Sequence, residues 1–149
     1  MFISTYENKL DKKGRVSVPA PYRSQINKDG FDSIICYPSF TLPTIEFCPQ
    51  SRLDKIIEAI DNLNPFDENR DIFATSVAAN SHKLNFDSEG RVTMVQKLLK
   101  HANINSKVLF VGQGKTFQMW DPNNFKRFSL SAQKKANLKR AELKWKSEN

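Results

Sequence analysis

The chain has 149 residues, enough for one domain or two very small ones, and 39% of them are hydrophobic, which excludes wholesale disorder. Lys and Arg total 23 against 16 Asp and Glu, and the resulting charge of +7 suits a polyanionic partner, either nucleic acid or an acidic membrane face. The apolar runs, such as Ile34-Ile35-Cys36-Tyr37, fall far short of the roughly 18 residues of a membrane span, and the N-terminus shows no basic and apolar regions of a secretory signal.

In chain order, Tyr6, Asn8 and Leu10 alternate ahead of Asp11-Lys12-Lys13-Gly14, and Arg15-Val16-Ser17-Val18 alternates behind it. Two strands joined by Asp-x-x-Gly predict a β-hairpin. Asp11 can accept backbone N–H groups across the turn, and Gly14 supplies its positive φ. Pro19-Ala20-Pro21 opens a short helix that Asn27-Lys28-Asp29-Gly30 ends. Strands follow at 33–37 and 44–47. Leu53, Ile56, Ile57, Ile60 and Leu63 recur at helical spacing, predicting an amphipathic helix over 51–63. Asn64-Pro65-Phe66-Asp67 breaks it, and 68–77 reads as a second short helix.

His82, Leu84 and Phe86 then alternate into Asp87-Ser88-Glu89-Gly90-Arg91-Val92-Thr93-Met94. A helix at 94–102 and strands near 108–111 and 116–120 complete this half. Asp121-Pro122 is a helix-start signal. The helix behind it is expected to run to about Ser147, with a break near Ser129–Ser131 left open. Leu138, Ala141 and Trp145 are its expected packing face. Its Lys134, Lys135, Lys139, Arg140, Lys144 and Lys146 read as a solvated face, with a secondary nucleic-acid contact as the alternative.

The chain repeats itself. Residues 11–18 and 87–94 share Asp, Gly, Arg and Val in register, followed by a hydroxyl and an apolar residue. Downstream, Ser33-Ile34-Ile35-Cys36-Tyr37 answers Leu109-Phe110-Val111-Gly112, and the strand ending at Pro49 answers the strand ending at Pro122. The first turn crowds Lys9, Lys12, Lys13 and Arg15 around Asp11, a tip suited to phosphates or a groove. The second carries Arg91 with Asp87 and Glu89 and is the weaker anion binder on charge. At either tip the arginine can instead fold back on its aspartate and stiffen the turn.

Other chemistry has little support. Cys36 and Cys48 lack CxxC spacing and read as free thiols, and His82 and His101 have no ligand spacing to them. No Gly-rich phosphate loop or grouped catalytic motif is present, so an enzyme is not expected and no cofactor is implied.

The opening Met-Phe, then Leu10-Asp11-Lys12-Lys13-Gly14-Arg15-Val16-Ser17-Val18-Pro19-Ala20 and Tyr22-Arg23, resembles the N-terminal signature of the MraZ family. Asp87-Ser88-Glu89-Gly90-Arg91-Val92, Ala102-Asn103-Ile104, Val111-Gly112 and Trp120-Asp121-Pro122 resemble its second signature. The resemblance implies an α+β fold: two tandem AbrB-like swapped-hairpin halves forming a pseudo-two-fold β-barrel core with flanking helices. Residues 5–52 and 81–124 would be the SpoVT/AbrB-like domains, and 125–149 a basic C-terminal helix. It further implies a cytoplasmic, nucleoid-associated transcriptional regulator of the division and cell-wall gene cluster, including its own promoter, acting as a ring-like homo-oligomer on double-stranded DNA. No membrane or small-molecule substrate is implied. The family's DxxxR motif maps onto Asp11 and Arg15, and onto Asp87 and Arg91. The expected DNA-contact set is Asp11, Lys12, Lys13, Gly14, Arg15 and Arg91, with lesser parts for Lys9 and Asp87. The competing expectation is an AbrB-like protein-interaction module of antitoxin type.

Overall fold

The computed structural model describes residues 1–30 and 32–145. Its elements are β1 (Thr5–Lys9), β2 (Arg15–Ser17), α1 (Ala20–Lys28), β3 (Ser33–Pro38), β4 (Ile45–Cys48), α2 (Gln50–Asp61), α3 (Glu68–Val77), β5 (His82–Asn85), β6 (Arg91–Thr93), α4 (Gln96–His101), β7 (Lys107–Gly112), β8 (Phe117–Trp120) and α5 (Pro122–Lys139), followed by a 3-10 turn at Arg140–Glu142. The class is α+β. Six strands form one sheet in the order β1-β7-β8-β4-β3-β5, and β2 pairs with β6 in a separate ribbon. All named pairings are antiparallel.

The sheet order reads the same from either edge when β1–β4 are exchanged for β5–β8. The two halves are therefore related by a pseudo-two-fold axis. It passes through the rung Val16↔Val92 in the ribbon and Glu46↔Gln118 in the sheet. Closure into a barrel goes beyond these pairings.

The local hairpin expected at each turn does not form. The tips close, with Gly14 N donating to Asp11 O at 3.0 Å and Asp11 N to Arg15 O at 2.9 Å. Beyond the tip the arms diverge: β1 runs along β7, and β2 along β6. The cause is apolar partnership. Val16 and Val18 are buried in one core with Val92 and Met94 of the other half. Each half thus completes its pairing with strands of the other, which is the swapped arrangement that the resemblance implies. The repeat register also shifts downstream. Matching rungs pair Ile35 with Cys48 and Leu109 with Trp120, so Ile35 corresponds to Leu109 and Cys48 to Trp120. The counterpart of Ser33 is Lys107 rather than Leu109.

An aromatic cluster holds the halves together. Phe47 and Phe117 face each other across β4–β8 and stack with centroids 4.9 Å apart. Phe2 and Tyr22 pack on Phe117 at 4.9 and 4.8 Å, and Tyr22 Oη donates to Ser4 O at 2.7 Å. Phe2 enters because the chain passes close to Gly112, where a Cβ would lie 2.6 Å from the backbone of Phe2 and Ile3. Cys36 sits opposite Phe47 and Cys48 opposite Ile35. Successive residues of a strand point to opposite faces, so the two thiols are buried on different sides of the sheet and stay free.

Local chemistry sets the helix starts. Asp67 accepts from Asn69 N at 2.9 Å ahead of α3, and Asp121 accepts from Asn124 N at 3.0 Å ahead of α5. Trp120 anchors α5 through Phe125 and Phe128, at 5.6 and 5.0 Å. The helix is continuous across Ser129–Ser131 and ends at Lys139, short of the expected Ser147. The expected packing face is also corrected. From Gln133 to Trp145 every residue is exposed, with Leu138 at 85% and Trp145 at 87%. The anchor grips only the first turns, and the rest of the helix leaves the body. Lys146 and Ser147 lie outside the described residues.

Candidate nucleic-acid interface

Both repeated turns are built by one aspartate. Asp11 Oδ1 accepts from Lys13 N at 2.9 Å and Arg15 N at 2.8 Å, and Oδ2 accepts from Arg15 Nε at 2.7 Å. Asp87 does the same with Glu89 N, Arg91 N and Arg91 Nε, at 2.9, 2.9 and 2.8 Å. Gly14 and Gly90 carry the positive φ, +79° and +76°. The geometry survives the exchange of Lys12-Lys13 for Ser88-Glu89 because the turn uses only their backbone. The backbone N–H of Arg15 is the main influence holding the Asp11 carboxyl below its ordinary range, and that of Arg91 does so for Asp87.

The arginines do fold back on their aspartates, but only through Nε. Arg15 shows no protein partner at either Nη among the described residues, so its terminal fork of donors is free. Arg91 spends one end of its fork on Glu89, Nη2 to Oε2 at 3.2 Å.

Strand alternation aims both side chains. Val16 and Val92 point into the core, so Arg15, Ser17, Arg91 and Thr93 share the outward face of the β2–β6 ribbon. Arg15 sits opposite Thr93, and Arg91 opposite Ser17. That register sets the two arginine Cα atoms roughly 8–9 Å apart by ideal strand spacings. The field of Asp11 also reaches Arg91, helping hold its guanidinium protonated after the larger influence of Asp87. The two motifs, 76 positions apart in sequence (91 − 15), thus meet on one surface.

The surrounding charge is asymmetric. Lys9, Lys12 and Lys13 are exposed around the first tip, and β1–β7 pairing sets Lys107 beside Lys9. The matching rung near the second tip is Ser33↔Asn85. Sequence reading missed Lys107 because only the swapped pairing brings it there. It also missed Arg23, which donates from Nε to Val18 O at 3.0 Å and lies across Gly90, where a Cβ would collide with its Nη1. Arg23 brings a cation from the first half to the acidic second tip. No signal local to either segment announces that contact.

The other candidate chemistries are quickly placed. No group of three or more His, Cys, Asp and Glu capable of holding a metal occurs among the described residues. No helix there is long and apolar enough to cross a membrane. His101 instead faces Leu42 O at 3.2 Å. Burial pushes both thiols up to about 12, so neither is a ready nucleophile.

A family described as "MraZ protein, putative antitoxin-like" matches residues 1–37 and 77–144. A protein of Pelagibacter ubique named Transcriptional regulator MraZ is 58% identical, covering 97% of this chain and 94% of that protein. The chain belongs to the MraZ family. Relatives of the same name from Rickettsia bellii and Rickettsia felis are 45% and 44% identical, each pairing 97% of both chains. The matched MraZ segments contain both Asp-x-x-Gly-Arg turns and both strands of the ribbon, and leave out most of the α2–α3 region.

Proposed function

We propose that this chain is a sequence-specific DNA-binding transcriptional regulator whose reading head is the outward face of the β2–β6 ribbon. The observation that carries this reading is the pair of aspartate-locked arginines on that face, with the terminal fork of Arg15 unspent. An arginine held through Nε keeps two Nη groups in the geometry that matches guanine O6 and N7 or a phosphate. Fixing it in advance lowers the ordering cost on binding. A two-stranded ribbon is one of the elements that enters a major groove. In this reading Arg15 reads a base edge, Lys12 and Lys13 hold phosphates with Lys9 beside them, and Asp11 and Gly14 shape the loop. Arg91, positioned by Asp87, adds a second and weaker contact that Arg23 supports.

One ribbon offers few charges, so tight binding calls for several ribbons on repeated DNA boxes, where linked contacts raise the effective concentration. A ring-like homo-oligomer meets that need. The same reading assigns residues 5–52 and 81–124 as the two SpoVT/AbrB-like units. It also locates the protein in the cytoplasm at the nucleoid, acting on the division and cell-wall cluster and its own promoter. The test is a titration of the protein's own upstream DNA against scrambled DNA at two salt concentrations. Preference for the upstream fragment should survive the higher salt, while log K falls by about 0.9 per neutralised phosphate. Equal affinities that collapse together with salt would refute it. Under an antitoxin-like reading, a small protein partner would copurify and DNA preference would be absent.

A further inference from the structure

The two halves do not fill the sheet face away from the ribbon equally. Tyr37, Glu46, Cys48, Gln118 and Trp120 point to that face, because they alternate with Cys36, Phe47 and Phe117 of the core that Val16 and Val92 share. Trp120 corresponds to Cys48, and the helices behind them start at the equivalent caps Asp121 and Pro49. The same spacing matches Phe125 to Leu53 and Phe128 to Ile56. In the second half Trp120 packs on Phe125 and Phe128, with centroids 5.6 and 5.0 Å away. In the first half a cysteine, a leucine and an isoleucine stand in their place and fill less volume. Val77 of α3 is buried on this side, and a cavity of about 340 Å³ remains, lined by Tyr37, Phe40, Glu46, Ile56 and Val77. Small-molecule sites span roughly 300–1,000 Å³ and are mostly apolar with a few placed polar groups. Phe40, Glu46 and Ile56 fall outside the segments that the MraZ family match covers.

Glu46 is the one charged residue on the cavity wall. Its Oε1 accepts from Gln118 Nε2 at 2.8 Å, and among the described residues no cation pairs with it. Arg52 acts on Tyr37 and Cys48 but makes no ion pair with Glu46. No buried side-chain oxygen lacks a partner among the described residues, so the unbonded Oε2 is accessible rather than sealed in the core. Tyr37 stands directly opposite Glu46 on β3, and burial pushes its phenol up to about 12, so it remains a neutral hydroxyl able to accept a hydrogen bond. A half-buried carboxylate without a counter-charge is costly, and burial holds this one above its ordinary range.

We propose that this cavity binds a small organic cation, a primary amine on a compact apolar skeleton. The ammonium sits between Glu46 Oε2 and the Tyr37 hydroxyl, and the skeleton lies against Phe40, Ile56 and Val77. Charge complementarity selects the amine, because it supplies the counter-ion that the fold withholds from Glu46. The Phe40 ring on the same wall adds a face that attracts a cation. The proposal goes beyond the DNA reading and does not depend on it, since the cavity and the ribbon lie on opposite sides of the sheet.

The experiment titrates the full chain with phenethylamine and, separately, with phenethyl alcohol, its uncharged counterpart, following the labelled methyl groups of Ile56, Ile72 and Val77 by nuclear magnetic resonance. The amine should shift Ile56 and Val77 saturably and bind about ten-fold or more tighter than the alcohol, the usual gain from a hydrogen bond to a charged group. Glu46→Gln keeps the side-chain shape and removes the charge, so it should fold like the parent and bring the two ligands to parity. Ile56→Phe copies Phe128 of the other half and should abolish binding of both, with a circular dichroism melt to check that it folds. Equal affinities in the parent, a preference for the amine that persists in Glu46→Gln, or no saturable binding would overturn the proposal. Shifts confined to Ile72, on the exposed surface of α3, would assign the amine to a surface patch and overturn it as well.

Discussion

Replacing Phe117 by alanine tests the pseudo-two-fold core. Phe117 is fully buried and stacks on Phe47 of the other half at 4.9 Å, with Phe2, Tyr22 and Phe110 at 4.9, 4.8 and 6.1 Å. Burying an aromatic ring and then deleting it costs about 3–5 kcal/mol once the cavity is included. With four aromatic neighbours left facing a void, the upper part, about 4–5 kcal/mol, is expected. Total stability for a domain is about 5–15 kcal/mol, so the loss should be plain. At about 2–4 °C per kcal/mol for a chain of this size, the melting temperature should fall by roughly 8–20 °C. The assay is urea unfolding followed by Trp120 fluorescence, in a Trp145→Phe background that removes the exposed indole. Because strands of one half pair with strands of the other in both the ribbon and the sheet, fluorescence and circular dichroism should report a single shared transition. Phe66→Ala, at a residue 97% exposed, should move stability by no more than about 0.5 kcal/mol. A loss below about 1.5 kcal/mol for Phe117→Ala, against the usual cost of such deletions, or two separate transitions, would refute the reasoning.

Gly14→Ala and Gly90→Ala should differ although both residues adopt the left-handed region. Each costs about 1–2 kcal/mol for that conformation, but only Gly90 bears Arg23 against it. The excess cost of Gly90→Ala should therefore vanish in an Arg23→Ala background, as a double-mutant cycle of urea midpoints will show. Burial holds the Glu46 carboxyl above its ordinary range, opposed in part by the Gln118 hydrogen bond. The raised folded pKa means that ionisation costs stability as pH climbs through it. Glu46→Gln should thus raise the melting temperature near pH 7–8, and the gain should disappear at acidic pH where the parent carboxyl is neutral. Cys36 and Cys48, pushed up to about 12 and buried, should resist alkylation at pH 8 in the folded chain and react once urea unfolds it.

The two turns were legible in sequence because their chemistry is local. Asp-x-x-Gly followed by Arg specifies both the carboxylate that gathers the amides and the residue that takes positive φ. Helix α5 announced its start through Asp121 for the same reason, whereas Asp67, which caps α3, reads in the sequence only as part of the break after the preceding helix. Strand partnership was a different matter. Val16 meeting Val92 and Lys9 meeting Lys107 are choices between equivalent apolar or pleated edges, and alternation along one strand says nothing about which other strand it meets. The exposed end of α5 misled for a related reason. Leu138, Ala141 and Trp145 form a plausible packing stripe, and periodicity cannot tell a face covered by the same chain from one left bare. Arg23 on Gly90 was hidden because it joins residues 67 positions apart (90 − 23) through a contact that neither segment encodes alone.

The most direct test of the central claim compares Arg15→Ala, Arg91→Ala and the parent for the ratio of upstream to scrambled DNA affinity at one fixed salt. Loss of a bidentate base contact costs about 1–3 kcal/mol of discrimination, roughly 5- to 150-fold. Arg15→Ala should lose that much while its sedimentation and melting stay close to the parent, and Arg91→Ala should lose less. An unchanged affinity ratio in Arg15→Ala, with the protein folded and assembled, would contradict the account.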